Sequence, residues 1–120
     1  MEIERKFLVK DTQYKSLAQP KLIIQGYLCV IPNRTVRVRI IDEKAFVTIK
    51  SKTIGITRQE FEYEIPVNDA KVILSTMCIK HIEKYRYTIK LNDHIWEVDE
   101  FLGVNTGLVV AEIELSNENE

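Results

Sequence analysis

Histidine and cysteine are scarce in this chain, and the few present are poorly spaced for gripping a metal. Cys29 and Cys78 have no partner at ligand spacing, and His81 and His94 stand thirteen residues apart with no Cys or His at zinc spacing beside either, so no zinc centre is expected. No signal peptide is read ahead of Glu2, and both thiols are expected to be reduced and mostly buried in a cytoplasmic protein. No apolar run is long enough to cross a bilayer, so no membrane partner is expected. An excess of one charge is missing too. The 17 Lys and Arg nearly cancel the 18 Asp and Glu, which gives no electrostatic reason to bind nucleic acid or an anionic membrane. Internal repeats and low-complexity tracts are also lacking. What is left is one domain of 120 residues, long enough to bury a core.

What the chain has in abundance is alternation. In the first ten residues Glu2, Glu4 and Lys6 fall on one face of an extended strand, with Ile3, Phe7 and Val9 on the other. Taken alone, that is most simply a half-buried strand with a solvated polar face. The pattern recurs: Arg37 and Arg39 oppose Val36, Val38 and Ile40, and Lys50 and Lys52 oppose Val47 and Ile49. Glu60, Glu62 and Glu64 oppose Phe61, Tyr63 and Ile65; Lys84, Arg86 and Lys90 oppose Tyr85, Tyr87 and Ile89; Glu97 and Asp99 oppose Trp96 and Val98; Glu112 and Glu114 oppose Ala111 and Ile113. With β-rich residues 21–31, this predicts eight strands over residues 1–10, 21–31, 35–41, 45–52, 58–65, 79–91, 94–102 and 108–115. Asn92-Asp93 is expected as a two-residue hairpin turn, since both residues tolerate positive φ. Residues 67–78 are the one convincing helix, with Asn68 as expected N-cap and Asp69 in the first turn; residues 11–19 read as a short helix or turn. Short connections make neighbouring strands antiparallel. The predicted class is mainly β (α+β): an eight-stranded antiparallel closed barrel with one or two short helices.

The charges decide which face points inward. Their signs are blocked along the strands, whereas a solvated sheet face usually mixes them, because like charges directly opposite repel. A four-residue turn at 42–45 would set Arg37 against Lys50. Two like charges about 5 Å apart repel by roughly 1 kcal/mol in water and by about 3 kcal/mol at an effective dielectric near 20. Inside a barrel, such blocks are tolerable only when a bound partner neutralises them. A polyanion would answer the bases, and divalent cations would answer the carboxylates. Hard carboxylate oxygens suit Mg²⁺ or Mn²⁺, and Arg and Lys suit phosphate oxygens.

The ordered set Glu2-x-Glu4-x-Lys6, Arg37-x-Arg39, Lys50-x-Lys52, Glu60-x-Glu62-x-Glu64, Lys84-x-Arg86, Trp96-Glu97-Val98-Asp99-Glu100-Phe101 and Glu112-x-Glu114 resembles the CYTH domain, the triphosphate tunnel metalloenzyme family. Each piece is weak alone, but the series from residue 2 onward is specific and covers essentially the whole chain. The resemblance implies an eight-stranded tunnel with a charged lumen. It implies a metal site at Glu2, Glu4, Glu112 and Glu114, with Glu62, Glu64 and Asp99 as further tunnel acids that hold a second metal or orient bases. It also implies triphosphate binding by Lys6, Arg37, Arg39, Lys50, Lys52, Lys84 and Arg86, with Glu4, Glu114 and Lys6 closest to the chemistry. The expected reaction is Mg²⁺- or Mn²⁺-dependent hydrolysis of a terminal phosphoanhydride, inorganic tripolyphosphate before a nucleotide. A class IV-type adenylyl cyclase, a nucleoside or thiamine triphosphatase, and a non-catalytic polyphosphate-binding module are the alternatives. The partner is a small triphosphate, and the protein a monomer or homodimer. Similar bacterial proteins continue past the last E-x-E strand into a helix and short strand, so residues 1–120 are expected to form a single tunnel domain without that helix.

Overall fold

The computed structural model describes residues 2–78 and 80–115, with Glu2 described in its backbone alone. The strands are β1 (Glu2–Leu8), β2 (Lys21–Ile31), β3 (Arg34–Ile41), β4 (Lys44–Ser51), β5 (Thr57–Arg58), β6 (Glu60–Ile65), β7 (His81–Leu91), β8 (His94–Phe101) and β9 (Val109–Glu114). One helix, α1 (Val67–Thr76), and two 3-10 turns, Gln13–Ser16 and Gly103–Asn105, complete the described elements. All strands join a single sheet in the order β5-β1-β9-β8-β7-β2-β3-β4-β6, and every neighbouring pair is antiparallel.

The expected antiparallel tunnel-type sheet is present, with one detail added: its closure is incomplete, which leaves a cupped sheet with a seam. β1 meets β5 only at Glu2–Arg58 and Ile3–Thr57, and no pairing joins β1 to β6 among the described residues. The switch falls at Gln59, whose amide donates to Ser51 Oγ at 2.8 Å while its carbonyl accepts from Ser51 N at 3.0 Å. Chain before Gln59 therefore follows β1 and chain after it follows β4, which splits the expected strand 58–65 in two.

Turn chemistry fixes the remaining registers. Asn92 and Asp93 adopt φ of 50° and 65°, as a two-residue I′ turn requires, so Arg86 lies opposite Asp99. The β3–β4 turn is two residues long rather than four, with Ile41 opposite Lys44 and Asp42 at φ 52°. That corrects the expected Arg37–Lys50 opposition: Arg37 faces Thr48, and Lys50 faces Thr35. α1 also departs from expectation. It starts behind Pro66, whose extended φ and ψ of −60° and 138° make it the N-cap without a side-chain bond; Asn68 falls inside the first turn.

The apolar phase packs on the outside of the cup. α1 covers β3 and β4 through Ala70 and Leu74 on Val38, Ile40 and Ala45. Truncating Leu74 to Ala there would cost about 2–5 kcal/mol. The chain of α1 and the residues after it come so close to β2 that a Cβ on Gly26 would stand 2.9 Å from Leu74 Cδ2 and 3.0 Å from Cys78 Cβ, so any larger residue would force both to shift. On the other flank Tyr14 packs edge-on against Tyr87 and donates to Glu100 Oε1 at 2.9 Å. Burial, then the Glu100 carboxylate, pushes its phenol up to about 12. A third cluster joins Ile3, Ile113 and Leu115. With its apolar side chains engaged outside, the sheet turns its charged phase into the cup.

Candidate active site

The hollow of the cup is a groove of about 730 Å³, lined on nearly every strand by the charged phase. Its acidic end comes from β1, β8 and β9. Glu4 lies directly opposite Glu114, and Glu112 lies between Lys6 and Glu97. Cations soften this cluster: Lys6 Nζ is 3.8 Å from Glu4 Oε1 and 3.6 Å from Glu112 Oε1, and Arg58 Nη2 reaches Glu4 Oε1 at 3.6 Å.

One wall is an interlocked ion pair. Asp99 is buried and accepts from Arg86 Nε at 2.8 Å, Arg86 Nη2 at 2.9 Å and Lys84 Nζ at 2.6 Å. Arg86 Nη1 also donates to Glu97 at 3.3 Å. Burial alone would lower the Arg86 value, but the hydrogen bonds and charge of Asp99 reverse this and raise it. Burial would likewise raise Asp99, yet Arg86 and then Lys84 hold it below the usual carboxylate range. Lys84 ends below the ordinary lysine value, because burial and the nearby Arg86 and Arg37 outweigh Asp99. Its ammonium also sits 5.4 Å from the Phe101 ring centroid, a cation–π distance.

The facing wall is less completely neutralised. Glu62 accepts from Arg39 Nη2 and Thr48 Oγ1, each at 3.0 Å, and Lys50 lies 3.7 Å from Glu60. Burial, then the neighbouring Arg37, lowers the Arg39 value. The Nε atoms of Arg37 and Arg39 are both buried with no hydrogen-bond partner among the described residues. Native proteins leave few such donors. Here two of them sit in the wall of a polar groove.

The whole chain, residues 1–120, matches the CYTH domain. It belongs to the CYTH domain family. An inorganic triphosphatase of Acetivibrio thermocellus is 51% identical over 119 residues, covering 98% of this chain and 76% of the relative. An inorganic triphosphatase of Nitrosomonas europaea is 35% identical over 121 residues, covering 98% and 78%. The crystal structure of a putative adenylate cyclase from Bacillus halodurans superposes with a TM-score of 0.80 at 18% identity, over 99% of this chain and 82% of that one; at that identity it speaks for the shared fold alone. No helix among the described residues is long and apolar enough to cross a membrane.

Of the residues singled out by the CYTH pattern, the groove collects Glu4, Lys6, Arg37, Arg39, Lys50, Glu62, Lys84, Arg86, Asp99, Glu112 and Glu114. Lys52 and Glu64 are not brought in. Lys52 follows the last residue of β4 and is exposed, and Glu64 is exposed opposite Phe46 near the end of β6. The Glu2 side chain lies outside the described residues. The groove also holds residues that carried no role in the sequence, chiefly Gln25, Tyr27, Thr48 and Arg58. Arg58 shares the phase of Glu60 and Glu62, so alternation could have found it. Gln25 directly follows the apolar run Leu22-Ile23-Ile24, where a lone amide was the only signal.

The carboxylates divide by what holds them. No three His, Cys, Asp or Glu side chains among the described residues converge as a ready-made metal cage. Mg²⁺ commonly takes one or two protein carboxylates and completes its shell with water and substrate phosphates, which the opposed Glu4 and Glu114 fit. Asp99 and Glu62 fit a metal poorly: their oxygens already accept from Arg86, Lys84, Arg39 and Thr48. The geometry thus favours base-orienting over metal-holding for these two.

Proposed function

We propose that this chain hydrolyses the terminal phosphoanhydride of inorganic triphosphate, releasing phosphate and pyrophosphate with Mg²⁺ or Mn²⁺ bound. The observation that carries the reading is the pair of buried, partnerless guanidinium N–H groups of Arg37 and Arg39 in the groove wall. Phosphate oxygens accept from such forks bidentately, and two family relatives are inorganic triphosphatases.

Each residue's part follows from its surroundings. Arg37, Arg39 and Lys50 hold non-bridging oxygens, and Lys84 and Arg86 form the opposite side of the cradle, pre-set by Asp99. Glu4 and Glu114 would hold the metal, Glu112 supporting them through Lys6. When bound, the metal neutralises phosphate charge and lowers the pKa of a coordinated water. Overall a water oxygen bonds to the terminal phosphorus, the bridging P–O bond breaks with its electrons on pyrophosphate, and the water's proton is released to the products and the buffer. Positioning and charge neutralisation supply most of the rate in such transfers.

Tyr27 and Phe101 in the groove favour a second reading, a nucleoside triphosphate stacked on an aromatic ring. Lys84 lies over the Phe101 ring, which ranks that reading behind inorganic triphosphate. A phosphate-release panel over tripolyphosphate, ATP, thiamine triphosphate and pyrophosphate, with and without each metal, decides between them. The expected result is metal-dependent phosphate release with the highest kcat/KM for tripolyphosphate. An ATP preference, or cyclic AMP among the products, would overturn it. Glu4→Gln should lose at least about 10²-fold in rate, the scale of one electrostatic transition-state contact.

A further inference from the structure

Among the described residues, the buried side-chain polar atoms with no hydrogen-bond partner are Gln25 Oε1, Arg37 Nε and Arg39 Nε. All three residues line the same groove, on adjacent strands. Gln25 lies directly opposite Arg39 in the β2–β3 register and opposite Ile82 in the β2–β7 register. It is 4% exposed, and bulk water does not satisfy its Oε1. An orphaned acceptor thus sits across from an orphaned donor, on the strand between the Arg37–Arg39 and Lys84–Arg86 pairs.

We propose that Gln25 is a further substrate-binding residue: its Oε1 takes the Arg39 Nε hydrogen and its Nε2 donates to a non-bridging phosphate oxygen of the bound triphosphate. This rests on the triphosphatase reading above. A primary amide is the side chain that offers an acceptor and two donors without net charge. A carboxylate at this place would hold Arg39 more strongly, but it would set a negative charge against the phosphate. A thioether or alkyl group could not accept the Arg39 Nε hydrogen when the ligand binds. The strand beneath is also held in place. Gly26, the next residue, leaves no free space for a Cβ beside Leu74 and Cys78, and Ile23, the preceding residue of the same phase, is fully buried. The amide therefore has a fixed base from which to span guanidinium and phosphate, and Arg39, held at Nη2 by Glu62, becomes fixed at both ends of its fork.

The test compares Gln25→Glu and Gln25→Met with the parent, by melting temperature without ligand, by calorimetric titration of tripolyphosphate in metal-free buffer, and by steady-state kinetics. Gln25→Glu should keep or raise the ligand-free melting temperature, since its carboxylate satisfies Arg39, yet weaken tripolyphosphate binding by at least about tenfold, with kcat/KM falling mainly through KM. Gln25→Met should weaken binding about three- to tenfold, the range for losing one neutral hydrogen bond. Parent-like binding by both variants would overturn the proposal and leave the triphosphatase reading standing. So would a loss of binding in Gln25→Glu matched by a fall in its ligand-free melting temperature, since that is what a purely structural amide predicts. If the parent itself neither binds nor cleaves tripolyphosphate, the triphosphatase reading fails, and this inference with it.

Discussion

Two pairs of bases, Arg37 with Arg39 on β3 and Lys84 with Arg86 on β7, share a spacing, a sheet face and a groove, yet they are prepared differently. The β7 pair is clasped by Asp99 through three hydrogen bonds of 2.6–2.9 Å. On the β3 pair Glu62 takes a single N–H of Arg39, and both Nε atoms stay unmatched. The clasped pair is a rigid positive wall whose charge is partly cancelled before any ligand arrives. The loose pair keeps its hydrogen-bonding capacity for an incoming anion. Spacing identifies which cations face the groove; the carboxylate across the sheet determines which of them are still available.

That contrast can be broken from the clasped side first. Asp99→Asn leaves Arg86 and Lys84 buried without their counter-charge and should destabilise the fold by about 3–5 kcal/mol in urea titration. The folded Asp99 value lies below its unfolded one. Its stabilising contribution is therefore complete above about pH 4 and disappears as the pH falls through the lower folded value; acid titration of the parent against Asp99→Asn should show a gap in stability that closes only in that acidic range. From the loose side, Arg37→Lys should weaken tripolyphosphate use by about 1–3 kcal/mol, because a point charge cannot reproduce the fork, while leaving the ligand-free unfolding midpoint in place. Arg86→Lys should instead lose stability along with affinity, and matching behaviour of the two lysine variants would erase the distinction. A smaller effect is expected in the pH profile. The depressed Lys84 value should place the alkaline limb of kcat/KM below that of an ordinary lysine, and Lys84→Arg should shift the limb upward. The smallest belongs to Lys52: lying outside the groove, it should tolerate Ala with kcat/KM within about twofold, as surface substitutions usually do.

The period-two pattern carried much of this architecture, because one face of each strand is charged and the other apolar. It brought Glu62, Asp99 and Glu112 to the same face without any knowledge of the fold, and the Asn92-Asp93 turn was legible because few other residues accept positive φ. What escaped depends on contacts across the chain. The seam opens past Gln59, which Ser51 holds to the β4 side, a bond that no local pattern announces. The β3–β4 register follows from whether the turn takes two residues or four, and Asp42 at φ 52° settled it on two. Gln25 was hidden because β2 is apolar on both faces near it, one face under α1 and the other on the groove floor.

The seam between β1 and β6 has a consequence for life in concentrated solution. Among the described residues no strand pairing joins β1 to β6, and an unprotected strand margin invites another chain to add a strand and start a chain of association. Phe7, Phe61 and Tyr63, each about half exposed on the outer surface, would reinforce such stacking. Standing on the inner side of β1 and β6 are Glu4, Lys6 and Glu62. An arriving strand would have to strip water from these ionised groups, which is costly without matched partners. Inward-pointing charge beside an open edge thus guards against self-association, so the side chains that prepare the groove for a small polyanion also help to keep the folded molecule from polymerising.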